Sequence, residues 1–319
     1  MHRFGIRKVV IIGCGRVGSH AALALLCNQL VDEIVLVDVN EAAAVSEMMD
    51  LKDFSTALGI HVAIRVGDYY DCADARFLIM TAGRHRKPGE SRRDMLEGTF
   101  DILSKIVGPI KESGFDGTLI SVSNPADIVA EYLYRSLDLP RSRNFGTGTA
   151  LDTIRLQRVV GTLVGMERSQ VQAIVMGEHG DSSFVPESHV SLGGIPLDEY
   201  LRLRPEHADK LQFKAIGKTV HESGASIIQG KGATEFGIGA TVAMIVSSIL
   251  HNEKRVIPLS AHLRGAYDER FVSVGVPCLV GQNGIEQVYE LELTDEESKL
   301  FHKSCEIIRS GFETIVKKV

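Results

Sequence analysis

One glycine-rich turn near the amino terminus limits what this chain can fold into more than any other feature. Lys8-Val9-Val10-Ile11-Ile12 is a short apolar run, suited to a buried parallel strand. It leads straight into Gly13-Cys14-Gly15-Arg16-Val17-Gly18, a G-x-G-x-x-G pattern. The alanine- and leucine-rich stretch Ser19 to Leu26 continues as a helix. Glu33-Ile34-Val35-Leu36-Val37 reads as a second strand and ends at Asp38, twenty residues past Gly18. The glycine pattern alone is weak. A strand before it, a helix after it and an acid at that distance make it specific.

Physical chemistry says what such a turn is for. Glycines let the backbone bend sharply and approach a pyrophosphate closely. The helix N-terminus offers free N–H groups and a partial positive charge to that anion. Asp38 can accept hydrogen bonds from adenosine ribose hydroxyls and would repel a 2′-phosphate, which favours NAD over NADP. Gly13, Gly15, Gly18 and Asp38 are therefore candidate cofactor residues. Two readings fit Arg16: contact with a phosphate, or exposure to solvent.

The rhythm continues down the first half. Glu41 to Thr56 reads as a helix, and His61 to Val66 and Arg76 to Met80 as strands. Ser91 to Glu112 is helical, Gly117 to Val122 a strand, Pro125 to Leu137 a helix. This alternation predicts an α/β fold, a Rossmann-type doubly wound parallel sheet with right-handed crossovers. Ligands of such sheets sit beyond the carboxyl ends of the strands. Thr81–Gly89 and Ser121–Pro125 belong there, which adds Val122 and Asn124 to the cofactor candidates. The glycine-rich crossing Asn144 to Thr149 marks the expected domain boundary: residues 1–147 bind NAD, and 148–319 form an α+β catalytic domain.

Three stretches carry candidate chemistry. Met176-Gly177-Glu178-His179-Gly180-Asp181 follows a run that reads as a strand, Val171 to Met176. A histidine between glycines suits presentation to a cleft, although a histidine in a surface turn is commoner. Asp152 and Arg155 lie three apart on an expected helix and share a face. They form either a local ion pair or, with His179, a set: a carboxylate to orient an imidazole and a guanidinium to clamp a carboxylate. The basic loop Thr81 to Arg92 leaves a strand end and enters a helix. It reads as a lid over the cleft or as a solvated charged loop, with Arg86 and Glu90 able to pair with each other.

Composition excludes several classes. The net charge of −6 does not favour a nucleic-acid or membrane partner. No apolar run is long enough to span a bilayer, and no apolar signal-peptide core precedes the first strand. The five cysteines are scattered, with no CxxC and no zinc spacing. A reduced, cytoplasmic protein without a metal is expected.

Taken together, the motifs resemble the lactate/malate dehydrogenase family of L-2-hydroxy acid dehydrogenases. They are GCGRVG with Asp38, RKPGESR, SVSNP, GTGTALDTIR, GEHGD, KGAT and GVPCLVGQNGI, in the family's order over nearly the whole chain. The resemblance implies an NAD-dependent oxidoreductase acting on a CH–OH group, moving a hydride between NADH and a small 2-oxo acid. It casts His179 as proton donor and acceptor, with Asp152 holding its imidazole. Arg155 would bind the substrate carboxylate, and Arg92, brought in by the lid, would polarise the carbonyl. Asn124 would hold substrate beside the nicotinamide, and Thr234 would form part of the substrate wall. A homodimer or homotetramer is implied.

The frame is similar to the L-lactate branch, with one departure. Arg86 stands where lactate dehydrogenases usually carry glutamine and malate dehydrogenases carry arginine. A cation facing a methyl group inside a closed, dry lid is costly, whereas a second carboxylate satisfies it. Oxaloacetate/malate is therefore expected to be accepted. The alternative is a strict pyruvate/lactate enzyme whose Arg86 faces away from substrate. A non-catalytic dinucleotide-binding protein is the rival from another class, but all four of His179, Asp152, Arg155 and Arg92 are present. Gln157 and Gln172 stand where related bacterial enzymes hold fructose 1,6-bisphosphate with an arginine and a histidine. No activation by that ligand is expected.

The remainder reads as scaffold. Ala208 to Gln229 and Thr234 to Leu250 are expected helices. Asn283-Gly284 signals a hairpin, and Thr294 to Glu297 is a capping-box pattern opening the last helix. The remaining histidines, among them His207, His221, His262 and His302, read as structural or solvated, and Arg135, Arg141 and Arg143 as surface.

Overall fold

All five residues of β1 (Lys8–Ile12) are buried, because this strand lies inside a sheet covered on both faces. A computed structural model of the protein describes residues 5–84 and 92–316, with side-chain surroundings over 5–84 and 96–314. The first half runs β1, α1 (Arg16–Cys27), β2 (Glu33–Val37), α2 (Glu41–Ala57), β3 (Ala63–Val66), β4 (Phe77–Met80), α3 (Arg92–Glu112), β5 (Thr118–Ser121), α4 (Ala126–Ser136) and β6 (Asn144–Gly146). These six strands pair in parallel in the order 3-2-1-4-5-6. The order reverses between β1 and β4, and that switch point opens a crevice at the strand ends.

Strand periodicity divides the core in two. Val9, Ile11, Ile34, Leu36, Phe77 and Ile79 turn to one face, where Ala21, Leu25, Val242 and Val246 meet them. Val10, Ile12, Val35, Val37, Leu78 and Met80 turn to the other, against Leu103, Ile106, Val129 and Leu133. Apolar runs without alternation are what a sheet buried on both faces requires.

The second half runs α5 (Ala150–Val164), β7 (Val171–Gln172), β8 (Ser191–Leu192), β9 (Ile195–Pro196), α6 (Leu197–Leu203), α7 (Phe213–Lys231), α8 (Phe236–Leu250), β10 (Arg255–Arg264), β11 (Arg270–Gly281), β12 (Gly284–Val288) and α9 (Asp295–Val316). β10, β11 and β12 extend the first-half sheet to nine strands, joining antiparallel where Ser260 meets Gly146. β7, β8 and β9 form a separate small sheet over a third apolar cluster that includes Leu156, Val160, Phe213 and Ile216. No described helix is long and apolar enough to cross a membrane.

Three local expectations change. The run Val171 to Met176 is a strand only at Val171–Gln172. Further on, hydroxyls at the start of α5 take its backbone: Thr153 Oγ1 accepts from Val175 N at 2.9 Å, and Oγ1 of the capping Thr149 donates to Val175 O at 2.6 Å. The helix expected from Ala208 starts at Phe213, after a 3-10 turn at Pro205–His207. β10 has no counterpart among the expected elements, since Pro258 interrupts its apolar run. The hairpin and the last helix form as expected. Gly281 pairs Gly284 across the turn, and Thr294 and Glu297 exchange side-chain to backbone hydrogen bonds of 2.9 and 3.3 Å.

Candidate active site

The glycine turn is shaped by backbone proximity. A Cβ on Gly13 would come within 2.6 Å of Ala82 N, and one on Gly18 within 2.0 Å of Gly13 O. Gly15 is different: a Cβ there would meet no protein atom within 4 Å, so its face is open to the crevice. Gly15 also caps α1, which has no side-chain cap. The first N–H groups of the helix are thus left for an anion. Asp38 closes the turn from the end of β2, its Oδ2 accepting from Cys14 N at 2.6 Å and its Oδ1 from Asn40 N at 2.9 Å. Gly15, Gly18, Val122 and Asn124 line one small cleft together with Thr81 and Ser123. An open glycine, an uncapped helix and an acid at the second strand end fit a dinucleotide.

Arg16 is exposed, one of its two expectations, and lines the cleft beside Gly15. Its Nη1 donates to Lys231 O at 2.6 Å and ties the cofactor turn to the end of α7.

Val17, Val122 and Asn124 are shared with an adjoining cavity of about 260 Å³. Into it project Asp152 and Arg155 from α5, His179 from its loop, and Thr234 from the α7–α8 junction. Asp152 Oδ2 lies 2.6 Å from His179 Nδ1, and Asp152 Oδ1 accepts from Arg155 Nη1 at 3.2 Å. A carboxylate only accepts, so Nδ1 carries a proton and Nε2 is the nitrogen free to exchange one. Burial pushes the Asp152 carboxyl up, but the His179 and Arg155 charges outweigh it and hold it below the ordinary value. Burial pushes His179 down, while the charge and hydrogen bond of Asp152, aided by Asp127, raise it above its ordinary value against opposition from Arg155. The pair favours an imidazolium, a proton donor ready for use.

The loop around His179 is anchored at both ends. Met176 and Phe184 exchange backbone hydrogen bonds of 2.8 and 3.0 Å, and Gly177 and Gly275 exchange two of 3.0 Å. Ser304 of α9 holds Glu178 N at 3.2 Å and donates to Ser182 O at 2.6 Å.

Two residues that sequence reasoning did not single out belong here. Asp127, in the first turn of α4, accepts the backbone N–H of His179 at 2.7 Å. His221 of α7 lines the same cavity, with its Nε2 2.7 Å from Asp181 Oδ1. His221, Gly224, Ala225 and Ile228 all face the cavity, the i, i+3, i+4, i+7 stripe of one helix face. That spacing was the available signal for His221. For Asp127 there was none.

Arg86 and Glu90 lie outside the described residues, as does the side chain of Arg92, which opens α3. A larger cavity of about 680 Å³ lies elsewhere and contains none of the catalytic candidates. Gln157 and Gln172 line it, beside Arg168 and Arg255, each of which stands opposite a glutamate, Glu167 at 3.7 Å and Glu253 at 3.2 Å. The chemistry, not cavity size, identifies the site.

Comparison with known proteins gives one answer over the whole chain. Residues 7–146 match the lactate/malate dehydrogenase NAD binding domain, and residues 149–319 the lactate/malate dehydrogenase alpha/beta C-terminal domain. L-lactate dehydrogenase 1 of Bifidobacterium longum (strain NCC 2705) is 40% identical over 309 residues, covering 97% of this chain and 98% of the relative. L-lactate dehydrogenase 3 of Bacillus anthracis is 38% identical over the same shares. The crystal structure of a minor L-lactate dehydrogenase from Enterococcus mundtii in its ligand-bound form superposes with a TM-score of 0.93 at 36% identity, covering 97% of this chain and 98% of that one. With the two matched domains in one chain and the dinucleotide turn beside the histidine cavity, this chain belongs to the lactate/malate dehydrogenase family, NAD-dependent oxidoreductases that act on the CH–OH group of a 2-hydroxy acid.

Proposed function

We propose that the protein interconverts pyruvate and L-lactate and also accepts oxaloacetate, with His179 as the group that gives and takes the proton. The observation that carries this reading is the 2.6 Å contact of Asp152 with His179 Nδ1 in a cavity that Arg155 also lines. NAD(H), held by the Gly13–Gly18 turn, Asp38, Val122 and Asn124, supplies the hydride chemistry. Arg155 clamps the substrate carboxylate and fixes which way the 2-oxo group faces. His179 Nε2 delivers a proton to the carbonyl oxygen during reduction and removes it during oxidation. Asp152 keeps the ring in the required tautomer and stabilises its charged form. Arg92 polarises the carbonyl when the lid is closed, Asn124 holds substrate beside the nicotinamide, and Thr234 walls the pocket.

The relatives support pyruvate and lactate. Arg86 supports the second substrate, because its cation is satisfied by a distal carboxylate. Steady-state turnover of pyruvate and oxaloacetate in wild type and Arg86→Gln tests this. The expected result is oxaloacetate activity that the variant loses while it gains on pyruvate. A wild type confined to pyruvate, with the variant unaltered, would leave the strict lactate reading.

A homodimer or homotetramer, in the cytoplasm, completes the reading. Exposed Ile154 and Val256 beside the 680 Å³ cavity support self-association, and five free cysteines suit a reducing compartment. Fructose 1,6-bisphosphate is expected to change neither the sedimentation coefficient nor the half-saturating substrate concentration. A monomer, or a clear fall in that concentration, would contradict this part.

A further inference from the structure

We propose that Asp127 is a second carboxylate serving His179, a positioning residue that fixes its backbone through the N–H and lends negative charge to its imidazolium form. The inference rests on His179 being the proton-exchanging group.

The geometry distinguishes Asp127 from an ordinary buried acid. Its Oδ2 accepts from His179 N at 2.7 Å, and the residue is only 2% exposed. Its Oδ1 closes no hydrogen bond of ordinary geometry, and what faces it is the neutral hydroxyl of Ser260 from β10, which favours the ionised carboxyl without matching its charge. Glu131, one turn later on α4, shows what a structural buried acid looks like in this helix. That carboxylate is matched by His262 Nδ1 at 2.8 Å, Ser273 Oγ at 2.8 Å and Arg135 Nε at 2.6 Å. Asp127 has no such set. A buried carboxylate left half-satisfied is costly, and a neutral acceptor would serve a lone N–H as well. What the carboxylate adds is charge, and the cationic form of His179 is what that charge favours.

The surrounding groups leave this pairing intact. From α5 come Asp152 and Arg155, which are bound to each other and, through Asp152, to the ring. From the histidine loop comes Glu178, a like charge to Asp127. From α7 comes His221, joined to Asp181. From α9 comes the Cys305 thiol, pushed far up by burial and therefore neutral. Burial raises the Asp127 carboxyl to about 6, against the lowering influence of the Ser260 hydroxyl and then of the His179 backbone and ring. Asp127 and His179 each favour the charged form of the other. The contact also joins the two halves of the chain, since α4 follows the Asn124 turn and His179 lies 52 residues further on.

Asp127→Asn keeps an acceptor for the N–H and removes the charge. Asp127→Ser removes the charge with a smaller side chain, should the first variant fold poorly. Two readouts apply to the full-length enzyme. The first is the titration of the His179 ring, followed by NMR of ¹³C-labelled histidine and assigned by its loss in His179→Asn. It reports with or without turnover. The second is the pH dependence of kcat/KM in both directions. Loss of a nearby negative charge moves a histidine midpoint down by about one unit. The falling limb of 2-oxo acid reduction, which needs the imidazolium, and the rising limb of 2-hydroxy acid oxidation, which needs the neutral ring, should both move to lower pH. An unmoved ring midpoint in Asp127→Asn overturns the proposal whatever the rates do. A moved midpoint in a protein that turns over no 2-oxo acid would leave it standing and sink the enzymatic reading instead.

Discussion

Arg155 enters the cavity from α5 with its stem buried, and among the described residues its hydrogen-bond partner is Asp152 at 3.2 Å. A guanidinium can hold Asp152 and still present a fork to a substrate carboxylate, and an ammonium cannot do both with that geometry. Arg155→Lys forfeits one charge-assisted hydrogen bond, about 1.5–3 kcal/mol. The KM for the 2-oxo acid should rise roughly 10- to 100-fold, with a smaller change in kcat, in steady-state assays at saturating NADH. An unchanged KM would place the substrate carboxylate elsewhere. The grouping of His179, Asp152 and Arg155 was legible in the sequence because each sits in a short motif whose residue types suit one another. Asp127 and His221 were not. Asp127 acts on a backbone N–H 52 residues away, and no spacing rule encodes that contact. His221 offered only the helical spacing it shares with Gly224, Ala225 and Ile228, which does not say that this face of α7 meets the cavity.

At the scale of elements, the β1–α1–β2 unit tests how the glycines divide their work. Gly18 has no room for a methyl group against Gly13 O, so Gly18→Ala must shift α1 away from β1. Such overpacking costs about 1–3 kcal/mol. Gly15 has room on the protein side, so Gly15→Ala should intrude only on the ligand. NADH fluorescence titration and thermal melts separate the two. Both variants should bind NADH more weakly, but only Gly18→Ala should melt earlier. Equal melting losses would mean the turn is strained at both positions. This unit was readable because its signals are local: an apolar run, a glycine turn, then a helical pattern. β10 was not, because Pro258 reads as a strand breaker, yet it lies opposite Pro277 of β11, whose carbonyl faces away from β10 to accept from Tyr289 N, a position in the ladder where no N–H is needed between the two strands. The stretch after Gln172 misled for the opposite reason. Its composition suits a strand, but the hydroxyls of Thr149 and Thr153, at the start of α5, hold Val175 in place of a neighbouring strand.

Across the whole molecule, function depends on bringing distant segments to one end of the sheet. The strand order 3-2-1-4-5-6 places the glycine turn, Asp38 and the Asn124 turn at a single crevice, and Arg16 ties that crevice to α7 through Lys231 O. The second half then extends the same sheet through β10 while setting α5, α7 and the His179 loop around a shared cavity. The alternation of strands and helices foretold the parallel part. It could not foretell that the second half would continue the sheet, since the β6–β10 pairing among the described residues is one short antiparallel contact, Ser260 with Gly146. The glycine turn and His179 come from opposite halves, so the proposed activity depends on how those halves dock.

The most direct measurement of that account is NADH oxidation at 340 nm with pyruvate, oxaloacetate and bulkier 2-oxo acids, in wild type and His179→Asn. The account predicts turnover of at least one acid by wild type and a loss of about 10²- to 10⁴-fold in the variant, with NADH binding retained. No turnover of any 2-oxo acid by wild type, or a variant as fast as wild type, would contradict it.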